Sequence, residues 1–592
     1  MALFTDLLRS YSTPSGVRRA SREPPWPEPA WASESWQRPS EFFVALQQES
    51  EQALGGPAKS QLDLGIDFYS DLLTRYLHRP DRSLAAFREA IRWFEPELGW
   101  QSMSLAQLDA QAGALAAVLV ASGMQAGERL ALVLPSGGPL LVGVLAALAV
   151  GGVAVPILPI GNTYVERLIE LSGAERVVTC SPYTALRGLL ERKPLVLSPE
   201  LLSKAGLRPQ PATYAPKSPV LLIASPLHAT DSLKTVSAAQ AYASALRDGL
   251  LVFGLRPGDV LAAPSNPQYV PCTYLSALLC GAGVVDLSVE AMHKDASPLR
   301  TGKPRAVILT QSVRDALLDA GGGPVSWGCW FRDPQEGLDL ARWQRADDQL
   351  RLSSVPSANL LWDAANGGAV LVSIPRRCLP HPIVWPAPGC RHFLAELTGE
   401  APAVTDVGRL LLQSEDGEPS RSPGEALLLR TDDGYMYGGS ALPRRSGWSY
   451  PSQQVIEVLE RSRELSWLSG VAVVELAGAG GAGQALVVVV LFTGSEPVER
   501  VQRELCYAII DRELGPGARP NQVEAFALYP RRLGGCPTAP IDTDWVRGQY
   551  TGSDLFHKAR SPLFRALTNV RTALQKLKGV AGGGGPWTSL KD

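Results

Sequence analysis

Apolar positions along this chain recur in two rhythms. Leu105, Leu108, Ala112, Leu115 and Leu119 follow spacings of three and four, so they line one face of a helix that Gly123 ends. Short apolar runs then alternate with helical stretches: a strand over 130–134, a helix over 140–150, a strand over 153–158, a helix over 165–172 and a strand over 176–179. That alternation predicts right-handed crossovers and a mostly parallel sheet. It returns from Val220 with a strand over 220–224, a helix over 236–253, the turn Arg256-Pro-Gly-Asp, a further strand and a helix over 272–281. Between Val285 and Ala358 the rhythm weakens, and upstream the stretch from Phe68 to Trp93 reads as helical.

Near Gly434 the character changes. Val455, Ile456 and Leu459 mark a helix, 471–475 and 485–492 read as strands, and 498–514 reads as a helix. Leu563, Leu567, Val570, Leu574 and Leu577 then form a terminal amphipathic helix, with docking on its own body or in a partner groove as the two readings. The expected organisation is a Pro/Trp-rich extension over 1–60, a large body over 61–433, a hinge over 434–446, a small domain over 447–556, and a helix with a flexible tail over 557–592. The fold class is α/β, a large N-terminal body of layered mixed and parallel sheets with helices, followed by a small C-terminal α+β domain.

One stretch bears on the solvent class. No charged residue occurs from Leu130 to Val165, but Pro135, Pro139, Pro156, Pro159 and the Gly151–Gly152 pair divide it into pieces too short to span a bilayer. A buried helix followed by a buried strand fits better. The 592 residues carry 56 basic against 58 acidic side chains, which argues against a nucleic-acid binder. Eight cysteines without a CxxC pair and six scattered histidines argue against a structural metal. Asp6 and Arg9 interrupt the apolar stretch that a signal peptide needs, so a cytoplasmic location with free thiols is expected.

The segments Met103-Ser-Leu-Ala-Gln-Leu-Asp, Gly123-Met-Gln-Ala-Gly-Glu-Arg, Leu134-Pro and Ala149-Val-Gly-Gly-Val-Ala-Val-Pro156 resemble the opening scaffold motifs of the adenylate-forming superfamily. That superfamily holds acyl- and aryl-CoA synthetases, peptide-synthetase adenylation domains and luciferases, and the resemblance runs from about residue 65 to 550. It implies a phosphate loop of the form TSGTTGxPKG after the strand over 220–224. Here that place, beginning at Ser225, reads Pro226-Leu-His-Ala-Thr-Asp-Ser-Leu-Lys-Thr235. Thr230 and Lys234 stand in register, but the three glycines are His228, Asp231 and Thr235. Glycines let a backbone approach phosphates closely, and an aspartate repels them.

The other chemistry motifs depart as well. YGxTE is represented by Trp362-Asp-Ala-Ala-Asn366, so Asn366 stands where the resemblance implies a magnesium-binding glutamate, with Asp363 as the conceivable substitute. The ribose-binding TGD and the later DGY merge into Thr431-Asp-Asp433-Gly-Tyr, leaving Asp433 as ribose ligand or as an acidic turn residue. The hinge arginine is Ser440. In Pro530-Arg-Arg-Leu-Gly-Gly-Cys536 a thiol replaces the mobile lysine, and no thiol can replace an ammonium.

The resemblance therefore implies a degenerate nucleotide site comprising Ser225, Thr230, Lys234, Trp362, Asp363, Asn366 and Asp433, with Cys536 at the lost lysine position, no catalytic residue and no cofactor. The expected role is a binding or scaffold subunit with a protein partner, and with an acyl or aryl acid as a conceivable ligand. Two alternatives stay open. One is an active, divergent ligase that uses ATP and magnesium with Lys234 and Thr230, and the other is an acyl-ligand sensor.

Overall fold

The computed structural model describes residues 34–54, 56–77, 88–203, 206–224, 233–336, 340–373, 375–377, 383–397, 400–413, 422–440, 444–445, 448–476, 485–494, 503–533 and 540–552. The chain divides into two compact units, one of residues 1–159 and 165–449 and one of 160–164 and 450–592.

The larger unit carries two main sheets. One has the order β6-β5-β3-β4-β7-β8, from β3 (Arg129–Val133), β4 (Val153–Ile157), β5 (Arg176–Thr179), β6 (Leu195–Val196), β7 (Pro219–Ile223) and β8 (Lys234–Ser237), parallel except at β8. The other begins with β1 (Glu89–Glu95) and β2 (Gly99–Ser104) and gains its parallel centre from β9 (Val260–Pro264), β10 (Gly283–Leu287), β11 (Ala306–Ile308), β12 (Cys329–Arg332) and β13 (Pro356–Asp363). Beyond β13 it turns antiparallel through β14 (Gly368–Val372), β16 (Ile383–Pro386), β20 (Gly434–Ser440), β19 (Ala426–Thr431), β18 (Val407–Leu412) and β17 (His392–Ala395), with β15 (Arg376–Arg377) paired to β13.

The charge-free stretch becomes strand, helix and strand. Helix Gly138–Ala149 packs on β3 and β4 of one sheet and on β1 of the other, so every side of it meets protein. Its entry is tight: a Cβ on Gly137 would stand 2.5 Å from the Trp93 side chain, and Gly137 has φ +95°. Among the described residues no helix is long and apolar enough to cross a membrane. Polar caps set several helix starts. Ser104 and Gln107 form a capping box at helix Leu105–Ala121, and Ser237, Ser288 and Thr310 each accept a backbone N–H of the helix they precede.

Several expectations are corrected. Of the helix expected from Phe68 to Trp93, the described residues are helical to Leu77, through a π-helical turn at Ser70–Thr74, while Glu89–Glu95 is a strand. Pairing of β1 with β2 and β10 overrides the local preference. Val236 belongs to β8, and the following helix starts at Ala238, where the Ser237 cap intervenes. Between 285 and 358 the βα rhythm continues unbroken, with strands of only three or four residues. The hinge expected at 434–446 begins instead with β20, hydrogen-bonded between β19 and β16, and contacts divide the chain after Ser449. Residues 553–592, where the terminal helix is expected, and the Pro/Trp-rich segment 23–31 lie outside the described residues. Trp36 of the extension donates Nε1–H to the Pro386 carbonyl at 3.1 Å and meets the His392 ring edge-on.

In the smaller unit β23 (Gly470–Leu476) and β24 (Leu486–Phe492) are antiparallel and β25 (Gln522–Phe526) runs parallel to β24. Alternate residues serve two cores. Val471, Val473, Val487 and Val489 face helices Ser452–Arg461 and Arg503–Leu514, while Ala472, Val474, Val488 and Val490 pack with Ile541 and Val546.

Candidate functional site

Strand order places the site. β10 lies on one side of β9 and β11 on the other, so the chain reverses its winding between β9 and β11. Open α/β sheets leave a crevice at the carboxyl ends of their strands where such a reversal occurs. A cavity of about 360 Å3 opens there, lined by the segments that follow β9, β10, β11 and β12.

Its chemistry is acidic. Asp333 and Glu336, in the loop after β12, are 2% and 6% exposed. Gln268 Nε2 donates to Asp333 Oδ2 at 2.9 Å, and the Gln335 N–H donates to Oδ1 at 2.8 Å. Glu336 Oε2 accepts the N–H of Gln311, the first residue of helix Gln311–Asp319, at 2.7 Å. A helix N-terminus ordinarily offers its N–H groups and positive dipole end to an external anion; here the protein's own carboxylate takes the place. Burial, reinforced by the nearby Asp333 charge, pushes Glu336 up to about 8 despite the Gln311 N–H, Arg332 and Arg314. The Tyr269 hydroxyl is buried beside Asp333, and burial, with the Asp333 charge, raises it well above the ordinary phenol range. The fourteen lining residues include no lysine or arginine.

Trp362, Asp363 and Asn366 lie behind this wall. The Trp362 ring is fully buried, stacked between Phe253 at 5.6 Å and Tyr269 at 6.5 Å, and its carbonyl accepts from Gln268 Nε2. Asp363 ends β13 with both carboxylate oxygens engaged: Oδ1 accepts the Ala365 N–H at 3.1 Å and Oδ2 accepts Asn366 Nδ2 at 2.6 Å. The pair closes the Ala364–Asn366 turn that leads through Gly367 into β14.

Beyond that turn, Asp248 is buried beside Arg247. Arg247 Nε donates to Asp248 Oδ1 at 2.6 Å and the Ala369 N–H donates to Oδ2 at 2.8 Å, while Arg247 Nη2 reaches the Ala369 carbonyl at 2.9 Å. A Cβ on Gly368 would stand 2.0 Å from Asp248 Oδ2, so the second glycine after Asn366 is fixed by this pair.

The remaining candidates are dispersed. Lys234 begins β8, opposite Ile223 of β7, and Asp433 sits exposed in the two-residue turn joining β19 to β20; neither lines the cavity. Ser440 is the last residue of β20. Ser225, Thr230 and Cys536 lie outside the described residues. Among the described residues no cluster of three or more His, Cys, Asp or Glu side chains could hold a metal ion. Among the described residues, the Asp363–Asn366 turn does not fit a magnesium ion, because the position for a metal carboxylate holds a neutral amide and Asp363 is committed to its own turn.

Sequence reasoning missed Tyr269, Asp333 and Glu336. The one legible signal was Thr310-Gln-Ser-Val, a hydroxyl cap marking the end of a strand too short to register by alternation.

The AMP-binding enzyme family matches residues 81–233, the half of the body that carries β1 to β7. No curated protein matches the chain by sequence. Among solved structures, the artificially fused adenylation–PCP di-domain NRPS NpsA-ThdA from Klebsiella oxytoca aligns at 13% identity over 79% of this chain and 94% of its own, with a TM-score of 0.59. An acyl-CoA synthetase from Brucella canis aligns at 16% identity over 86% and 98%, with a TM-score of 0.53. A benzoate CoA ligase from Burkholderia xenovorans LB400 aligns at 16% identity over 81% and 100%, also at 0.53. At such identities these likenesses show the fold alone, and the AMP-binding match is confined to residues 81–233.

Proposed function

We propose that this chain keeps the adenylate-forming scaffold without activating carboxylic acids, and serves as a binding or scaffold subunit in a biosynthetic or acyl-transfer assembly. The observation that carries the reading is Glu336 on the Gln311 N–H. The donor at which an anionic ligand would be held is occupied by a carboxyl oxygen of the protein, in a cavity whose described lining residues include no cationic side chain. Two unit charges about 4 Å apart repel by roughly 1 kcal/mol in water and more in a drier cleft, so a nucleotide entering this cavity would meet repulsion.

The β13–β14 turn supports the same reading. Asn366 donates to Asp363 instead of offering an anionic oxygen, so the turn is closed on itself. A carrier protein is the partner class we propose, since the Klebsiella oxytoca structure is an adenylation domain fused to a PCP. ATP and magnesium are then not cofactors, and a cytoplasmic location belongs to the same proposal.

Pyrophosphate exchange with ATP and magnesium across a panel of fatty and aryl acids tests it. The expected result is exchange no greater than without protein. Sustained exchange with any acid overturns the reading and favours a divergent ligase.

A further inference from the structure

Far from the cavity, the N-terminal segment of the larger unit is tied down at the turn between β16 and β17. The Gly389 N–H donates to Ser35 Oγ at 2.9 Å, and Trp36 Nε1–H donates to the Pro386 carbonyl at 3.1 Å. A Cβ on Gly389 would stand 2.5 Å from Phe43 Cζ, so a side chain there would collide with the segment. The Trp36 ring lies 4.8 Å, centre to centre, from that of His392, the first residue of β17, with the two planes at 88°. Past this anchor, helix Pro39–Ala53 buries Phe42, Ala45 and Leu46 and packs on helix Ala238–Arg247.

The surroundings of His392 favour its neutral ring. Nδ1 stands 3.1 Å from the Cys390 carbonyl, which can only accept, so Nδ1 carries the proton. Nε2, 3.3 Å from the Tyr435 hydroxyl of β20, is then left to accept from it. The charged group facing the ring is Arg430 of neighbouring β19, which repels an imidazolium. From β18 the residue opposite is the apolar Leu412, and the Cys390 thiol is engaged by Arg247 at 3.2 Å. Among the described residues no carboxylate pairs with the ring. Burial, then Arg430, lowers His392 to about 4 against the pull of the Cys390 carbonyl.

We propose that His392 is a proton-operated catch for the N-terminal segment, and that protonation of its ring releases Ser35 and Trp36 from the turn between β16 and β17. A ring opened to water takes up its proton near 6.5 and the docked ring only near 4, so the released state binds more protons between those values. Docking is therefore strongest above about 6.5 and weakens as pH falls toward 4. The ratio of released to docked chains then rises by up to about twentyfold between pH 7 and pH 5.

Hydrogen exchange of the full chain, read by mass spectrometry on peptides covering residues 34–43 and expressed as protection relative to unstructured peptide at each pH, tests the proposal. Protection there is expected to fall by at least about fivefold from pH 7 to pH 5, while that of helix Leu105–Ala121 holds. His392→Gln, which cannot take the proton, should abolish the fall while keeping a cooperative melting transition. If that variant does not fold, Arg430→Glu serves. At this exposed position a carboxylate in place of the cation favours the docked imidazolium, and the fall should shrink to about twofold or less. Protection of residues 34–43 that stays constant or rises in acid overturns the proposal, as does a fall of unchanged size in the folded variant. A fall shared equally by helix Leu105–Ala121 overturns it too, since that reports a general loosening of the unit and not a catch.

Discussion

Asp248 and the Asp333–Glu336 pair are buried to similar depth in one unit, and the protein surrounds them differently. Asp248 has a guanidinium on one oxygen and a backbone N–H on the other, and its partner Arg247 spends its remaining donors on the Ala369 carbonyl, the Pro388 carbonyl and Cys390 Sγ. No room is left beside it, since even a methyl group on Gly368 would collide. Asp333 and Glu336 sit side by side next to open space, where Gln268, the Gln335 N–H and the Gln311 N–H donate to them and Arg332 and Arg314 lie near Glu336. A saturated buried charge holds two segments together. A buried acid held mainly by neutral donors instead shows its burial in a raised proton affinity, as Glu336 does.

Breaking the saturated pair should have the largest effect. Arg247→Met leaves the Asp248 carboxylate buried and uncompensated, and chemical denaturation should show a loss of about 3–5 kcal/mol. Asp248 and Arg247 removed together, as Arg247→Met/Asp248→Leu, should cost much less than Arg247→Met alone, because no orphan charge remains. Equal losses would mean the pair is not what joins helix Ala238–Arg247 to β14. Gly368→Ala comes next, with an expected loss of about 1–3 kcal/mol from the contact with Asp248, and it should be partly relieved by Asp248→Ala.

The effect at Glu336 depends on pH and has the opposite sign. Glu336 holds its proton up to about 8 in the folded chain and only to the ordinary carboxylate range when unfolded. The folded state therefore binds the extra proton between those values. The resulting stability is full below the unfolded value and is lost as pH rises through about 8. Glu336→Gln removes that dependence, so its melting temperature relative to wild type should improve between pH 5 and pH 9. A constant difference across that range would mean Glu336 is already ionised in the folded protein.

How much of this was legible depended on element length. β3, β4, β5 and β7, with the helices between them, are long enough for apolar runs to show, and their residues also carry the scaffold motifs. β11 and β12 have three and four residues, fewer than alternation needs, so the half of the sheet that forms the cavity read as a weakened rhythm. Glu89–Glu95 read as helix because its strand identity comes from β2 and β10, partners that local sequence does not contain. The motif comparison identified Trp362, Asp363 and Asn366 as the altered stretch, but not that the last two would bond to each other. Asp333 and Glu336 were hidden for a related reason. In Arg332-Asp-Pro-Gln-Glu336 they look like a solvated acidic loop, and only the meeting of four strand ends buries them.

β24 carries a consequence for sequence change. With its odd-numbered valines in one apolar layer and its even-numbered ones in the other, this strand has no watery side. A hydrophilic replacement anywhere from Val487 to Val490 would be stranded in oil-like surroundings, so drift there is confined to swaps among aliphatic side chains of similar volume. The same stretch could lose every sign of alternation and still fold unchanged.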